Sequence, residues 1–241
     1  MSLGTEDFAA AASLEGVPSA LAAARDGIDS LLRDRGLRRT TPELTADSLL
    51  RGAAASAALE GSSTGLAEMR AGTTDALAAG AARLNGQLLS LVPVIGRAPL
   101  QALARMQALT APPDAPRDEV GRPRAQPGIV VALQALSEQL LTTKAPALAV
   151  ACLAHATVVT LAPFESGNGL VARGLERLLL VARGVDPTSM TVPEAGHLAS
   201  GAAYRDALRA YAEDGAAGRR RWLLYAADAV SVGASLSPLR S

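Results

Sequence analysis

The sequence predicts an all-α protein, and three observations carry that expectation. Apolar residues recur at helical spacing, as in Leu21, Ile28, Leu31 and Leu32, with Arg25, Asp26 and Arg33 opposite them. Proline and glycine fall between such segments, where they end helices instead of interrupting them. No Gly-x-Gly-x-x-Gly follows a strand, and no strands alternate with helices as a dinucleotide-binding or oxidoreductase fold would require.

Composition narrows the function classes. The chain has 241 residues and 49% hydrophobic content, enough for one well-buried core. Its net charge is zero, which argues against bulk attraction to nucleic acid or an acidic membrane. Lys144 is the only lysine. We attribute this arginine bias to a GC-rich coding sequence. Cys152 is the only cysteine, so no intrachain disulfide can form; in the apolar run AVACLAHA it reads as a small buried hydrophobe. Two histidines and one cysteine do not make a zinc site. No run is long and charge-free enough to span a membrane, and no signal-peptide layout is present, so a cytoplasmic location is expected.

In chain order, residues 1–17 form a short Ala-rich segment around Phe8 that ends at Gly16. A helix is expected from Pro18 to Arg35 with Gly36 beyond it, followed by a solvated basic connector, Arg35–Arg39. Thr41-Pro42-Glu43 places an N-cap, a first-turn proline and an acid at the positive end of the next helix. That helix should run to Glu60, with Gly61 as a left-handed cap. Further helices are expected over Gly65–Ala71, Thr73–Leu91 and Ala98–Leu109, broken at Gly72, Pro93 and Gly96. Residues 110–128 are rich in proline and mixed charge and read as a long loop. Ile129 then leads directly into a helix, VVALQALSEQLL, with no room for two paired strands before it. Thr143-Lys144-Ala145-Pro146 opens the next helix, in which His155 reads as a packed, hydrogen-bonded histidine.

That helix ends at Pro163-Phe164-Glu165-Ser166-Gly167-Asn168-Gly169. Pro163 removes a backbone donor, and Gly167 and Gly169 admit positive φ. A Gly-Asn-Gly opening into a helix leaves backbone N–H groups unpaired and aimed at one spot, where the helix dipole favours an anion. The same tripeptide is also a common plain turn. The helix Val171–Arg183 follows, with Arg173, Glu176, Arg177 and Leu180 in one neighbourhood. Thr191-Val192-Pro193-Glu194 opens a short helix containing His197, and Trp222 and Tyr225 read as core.

Pro-Phe-x-x-Gly-Asn-Gly-x-x-x-Arg resembles the active-site motif of the Fic (Fido) family, His-Pro-Phe-x-[Asp/Glu]-Gly-Asn-Gly-Arg-x-x-Arg, whose members transfer AMP from ATP to a hydroxyl of a target protein. Pro163, Phe164, Gly167, Asn168, Gly169 and Arg173 match it. Ala162 stands at the position of the catalytic His, Ser166 at that of the metal-binding acid and Leu170 at that of the first Arg. Upstream, Ser56-Ala57-Ala58-Leu59-Glu60-Gly61 resembles the family's inhibitory-helix motif. The resemblance implies that Glu60 pairs with Arg173 and keeps the ATP γ-phosphate from a productive position. Gly121-Arg122-Pro123-Arg124 resembles a remnant of the segment before the family's target-holding β-hairpin flap, here shortened or absent. Tyr204-Arg205-Asp206-Ala207-Leu208 and Arg221-Trp222-Leu223 resemble its C-terminal helices.

These readings imply a Fic-type helical bundle: an N-terminal helical segment, 1–40, and a Fic-like domain, 41–241. The domain holds the inhibitory-type helix 42–60 and the core motif 162–173. Gly167, Asn168, Gly169 and Arg173 are the expected nucleotide- or phosphate-binding set, with Ser56 and Glu60 regulatory. Alanine accepts no proton, and loss of a general base costs about 10²–10⁴-fold. His155 cannot replace it, lying two helical turns, about 10 Å, away. Ser166 is a poor Mg²⁺ ligand beside a carboxylate, and Glu165 sits one residue off register. Leu170 is expected to place an apolar group at the mouth of the site. The expectation is a pseudoenzyme that binds ATP, another nucleotide or phosphate-containing ligand, or a protein partner, without Mg²⁺. The alternative is an active protein adenylyltransferase performing AMPylation with rearranged residues, such as Glu165 as metal ligand. Neither nucleic acid nor membrane is an expected partner, and oligomerisation is left open.

Overall fold

The computed structural model describes residues 7–35 and 40–240, and among these it is built of helices and turns with no strand. Residues 36–39, the body of the expected basic connector, lie outside the described residues. The helices in chain order are α1 (Phe8–Ala12), α2 (Val17–Arg35), α3 (Pro42–Leu59), α4 (Leu66–Arg70), α5 (Ala76–Gln87), α6 (Val92–Ile95), α7 (Pro99–Thr110), α8 (Pro127–Thr142), α9 (Ala147–Leu161), α10 (Asn168–Ala182), α11 (Pro193–Ala199), α12 (Ala202–Glu213) and α13 (Gly215–Ser235). No helix among them is long and apolar enough to cross a membrane.

The centre is α9, whose residues are small or apolar on every side. Leu148 to Ala156 are all buried, as an all-round apolar helix must be in a globular protein. The turn 162–167 returns the chain along it as α10, and the two helices form the most extensive helix pair in the fold. Around this hairpin, α3 packs on α5, α11 and α10, while α7 packs on α5 and α10, and α8 spans α7 and α9. On the other side, α13 carries α2, α11 and α12. Phe8, Val17, Leu21, Ile28 and Leu31 belong to the same continuous core as α9 and α10, so α1 and α2 are packed into the bundle.

Caps decide the helix boundaries. Thr41 caps α3, its hydroxyl accepting from the Leu44 N–H at 3.3 Å. The helix expected to begin at Thr73 begins at Ala76, because Asp75 is the N-cap and accepts from the Ala78 N–H at 2.8 Å. Its last turn, Leu88–Leu91, is 3₁₀. The helix after the motif turn starts at Asn168, not Val171, with Gly167 as N-cap. The segment 112–126 contains only turns and touches the motif through one main-chain bond, from the Arg124 N–H to the Pro163 carbonyl at 2.8 Å.

The short helix α11 reaches the centre only because Gly196 has no side chain. A Cβ there would lie 2.8 Å from the Ala229 carbonyl carbon and 3.0 Å from the Gly233 nitrogen of α13. Gly196→Ala should therefore destabilise the protein by about 1–3 kcal/mol through overpacking. Gly27→Ala in α2, where nothing lies within 4 Å, should stabilise it by roughly 0.5–1 kcal/mol through the lost chain entropy of glycine. Urea-denaturation midpoints of the two variants would check both signs.

Candidate functional site

Ala162 ends α9 in the left-handed region, at φ 43° and ψ 60°. An L-residue pays roughly 1–2 kcal/mol for that conformation. The turn beyond it is tied by Asn168, whose Oδ1 accepts from the Phe164 N–H at 2.9 Å while its Nδ2 donates to the Phe164 carbonyl at 2.8 Å. Both ends of the amide are engaged with the turn's own backbone, so the Asn168 side chain shapes the cradle. Gly167 has φ 76°, and a Cβ on it would lie 3.2 Å from Cβ of Thr110 at the end of α7. Both conditions demand glycine.

The space in front of the α10 N-terminus faces a carboxylate of the chain itself. A Cβ on Gly169 would stand 2.8 Å from the carboxyl carbon of Glu60 and 3.1 Å from Nη1 of Arg173. Glu60 is the C-cap of α3, and its Oε1 accepts from Nη2 of Arg173 at 2.7 Å. Arg173, 2% exposed, also donates from Nε to Ser56 Oγ at 2.8 Å and from Nη2 to the Ser56 carbonyl at 3.1 Å. Its Nη1 donates to the Tyr204 hydroxyl at 3.2 Å. Ser56, Glu60, Gly169 and Arg173, far apart in sequence, thus meet at one point. One turn further along α10, Arg177 forks onto Glu194 at 2.8–3.1 Å and donates to Ser48 and Ser189, each at 3.2 Å. The two arginines fasten α3 to α10 through Ser48 and Ser56.

Other predicted positions are placed differently. Leu170 does not stand at the mouth of the site; it is 2% exposed and part of the core. The reason is its place in the first turn of α10, among Val171, Leu175 and Leu178, where an apolar side chain partitions inward. Glu165 and Ser166 are exposed. Ala162 offers no group that can take a proton.

A second polar cluster escaped the sequence reading. His155 of α9, Glu176 of α10, His197 of α11, Tyr204 of α12 and Tyr225 of α13 meet around one carboxylate. Oε2 of Glu176 lies 2.6 Å from His155 Nδ1 and 2.9 Å from His197 Nε2. The remaining ring nitrogens face Tyr204 Oη at 2.8 Å and Tyr225 Oη at 3.0 Å. Cys152 Sγ lies 3.7 Å from the other Glu176 oxygen, and Trp222 closes the set, donating to the Cys152 carbonyl. His155, Glu176 and His197 are the group among the described residues whose ligand atoms, within 4.8 Å of one another, could in principle hold a metal. Their nitrogen–oxygen separations are hydrogen-bond lengths, and every ring nitrogen already has a partner. The arrangement fits protons between the groups, not a cation. The sequence signal was Glu176 itself, a carboxylate inside a largely apolar helix that had to find donors.

Burial pushes the His155 imidazole down to about 4 despite Glu176 beside it, so the ring is neutral at physiological pH. Burial opposes the charge on Glu176, but His197 and His155 outweigh it and hold its carboxyl well below the usual carboxylate range. The unfolded chain takes up a proton on His155 near pH 6.5, and the folded chain does so only near 4. Stability should therefore be complete above about pH 6.5 and fall as the pH drops toward 4, by on the order of 3 kcal/mol from this group. Glu176, whose folded pKa is depressed, adds stability above about pH 4.5 that is lost below it. A melting-temperature profile should slope between pH 6.5 and 4, and His155→Gln should flatten that slope. An unchanged slope in the variant would refute the assignment.

No protein-family model matches the chain, and no curated protein does. Its structure is similar to that of a Fic family protein from Desulfovibrio desulfuricans G20, with a TM-score of 0.73 and 16% identity over 90% of this chain and 73% of that one. A fragment of C. elegans Fic-1, residues 134–508, matches with a TM-score of 0.70 and 17% identity over 91% of this chain and 71% of that one. These likenesses, each covering 90% or more of the chain, agree with the resemblance read from the sequence: the chain has the Fic fold.

Proposed function

We propose that this protein is a Fic-fold pseudoenzyme. Its cradle at Gly167–Gly169 and Arg173 binds a nucleotide or another phosphate-bearing ligand, and AMP transfer has been lost. One observation carries the reading. The Glu60 carboxylate is held by the buried Arg173 guanidinium and stands against Gly169 in the first turn of α10, where the helix dipole also favours an anion. A phosphate would meet the same guanidinium after displacing it.

The transfer half of the chemistry lacks its groups. Ala162 supplies no base, and Ser166 offers a hydroxyl where Mg²⁺ requires a carboxylate, so the residues present do not fit the metal. The target side supports the same reading. The Pro163 carbonyl is bonded to Arg124 of the chain's own loop, and Thr110 packs against Gly167. A target segment finds no paired flap strand there among the described residues.

Glu60 competes with the ligand, so the apparent affinity of the wild type is reduced by the fraction of molecules with Glu60 docked. Calorimetry with ATP, ADP and AMP should show weak binding by the wild type and binding about tenfold or more tighter by Glu60→Gly. Labelled ATP incubated with cell lysate should leave no label on any protein with either form. Label transfer would replace this reading with an active adenylyltransferase. No heat from Glu60→Gly with any of the three nucleotides would reduce the cradle to a plain turn.

A further inference from the structure

We infer that Tyr204 and His155, both outside the motif, are positioning residues that hold the Arg173 guanidinium on the cradle for oxyanion recognition. The inference rests on reading the cradle as a phosphate site, and it assigns residues that the motif does not include.

Proton bookkeeping fixes the direction of the chain of hydrogen bonds from its two ends. Arg173 can only donate, so the Tyr204 oxygen accepts from Nη1 at 3.2 Å. The single phenolic hydrogen must then go to Nε2 of His155 at 2.8 Å. Nε2 is therefore bare, and the imidazole carries its proton on Nδ1, which donates to Glu176 at 2.6 Å. The ionised carboxylate only accepts, and the chain ends there. Burial pushes the Tyr204 phenol up and keeps its proton in place. One alternative arrangement at any link would leave a buried group without a partner.

The anchored atom lines the cradle beside Nη2, the donor that Glu60 now occupies. Nη1 is the nitrogen 3.1 Å from the Cβ position of Gly169, and so it faces the cradle. Ser56 holds the opposite edge of the guanidinium through Nε and Nη2. When Glu60 is displaced, Ser56 and Tyr204 remain as the two mounts. His197 meets the same Glu176 carboxylate and Tyr225 bonds to His197, but neither bonds to Arg173, and this difference gives an internal control.

Two measurements test the inference. In ¹⁵N NMR without ligand, the Arg173 Nη signals should be resolved in the wild type and in Tyr225→Phe. In Tyr204→Phe the Nη1 signal alone should shift and its protons should exchange faster with water, because Ser56 and Glu60 still hold Nε and Nη2. Second, calorimetry with ATP in the Glu60→Gly background should show Tyr204→Phe weakening binding by about tenfold to a hundredfold, the worth of one hydrogen bond to a charged group. Tyr225→Phe should leave it unchanged. An Arg173 Nη1 signal unchanged in position and exchange rate in Tyr204→Phe, or equal losses of affinity from both tyrosine variants, would overturn the inference and leave the nucleotide reading standing. If Glu60→Gly binds no ATP, the nucleotide reading fails, and the NMR comparison alone decides whether Tyr204 holds the guanidinium.

Discussion

The structure depends on the burial of one guanidinium. Arg173 is almost fully enclosed and cannot shed its proton, so every donor it carries must find an acceptor within the protein. Those acceptors come from α3, through Ser56 and Glu60, and from α12, through Tyr204. Tyr204 then transmits the demand to His155 on α9, and His155 to Glu176, three residues along α10 from the arginine that began it. A single buried charge thus sets the side-chain pairing of four helices.

The same constraint explains why the cradle can outlast the transfer chemistry proposed to be lost. The turn is shaped by backbone and by residues that bond to backbone: the left-handed Ala162 and Gly167, the close approach at Gly169, and the Asn168 amide clasping Phe164. None of these depends on a histidine at 162, an acid at 166 or an arginine at 170. Leu170 even adds to the core, so its replacement of a cation fits the bundle while it removes a donor from the site. Frame and reactive groups are separable because they are built from different atoms.

The helix α3 is more than a carrier for Glu60. Ser48 and Ser56 meet Arg177 and Arg173, and Gly52 between them leaves room for the Arg177–Glu194 pair, which a Cβ there would crowd at 2.7–2.9 Å. These contacts are buried, whereas the Glu60 side chain is 32% exposed at the helix end. The body of α3 is part of the core, and only its last residue is free to move without opening it. Displacement of Glu60 can therefore be local, confined to the terminal turn.

The sequence by itself determined the helical class and the main boundaries, because each leaves a local trace; the meeting of Glu60 with Arg173 was implied only by the resemblance of two distant motifs. Thr41-Pro42-Glu43 is a capping signal and Gly167-Asn168-Gly169 a turn signal, whereas Ser56 to Gly61 points to its partner only through the family it resembles. It misplaced Leu170, because helical spacing shows which residues share a face but not which face the bundle covers. It did not foresee that both histidines would share Glu176, or that Tyr204 would link them to Arg173. Those partners come from separate helices, and hydrogen-bond direction has no sequence period. Only tertiary packing, with α11 drawn in by Gly196 and α12 carried on α13, decided that the charge on Arg173 would be answered through the core.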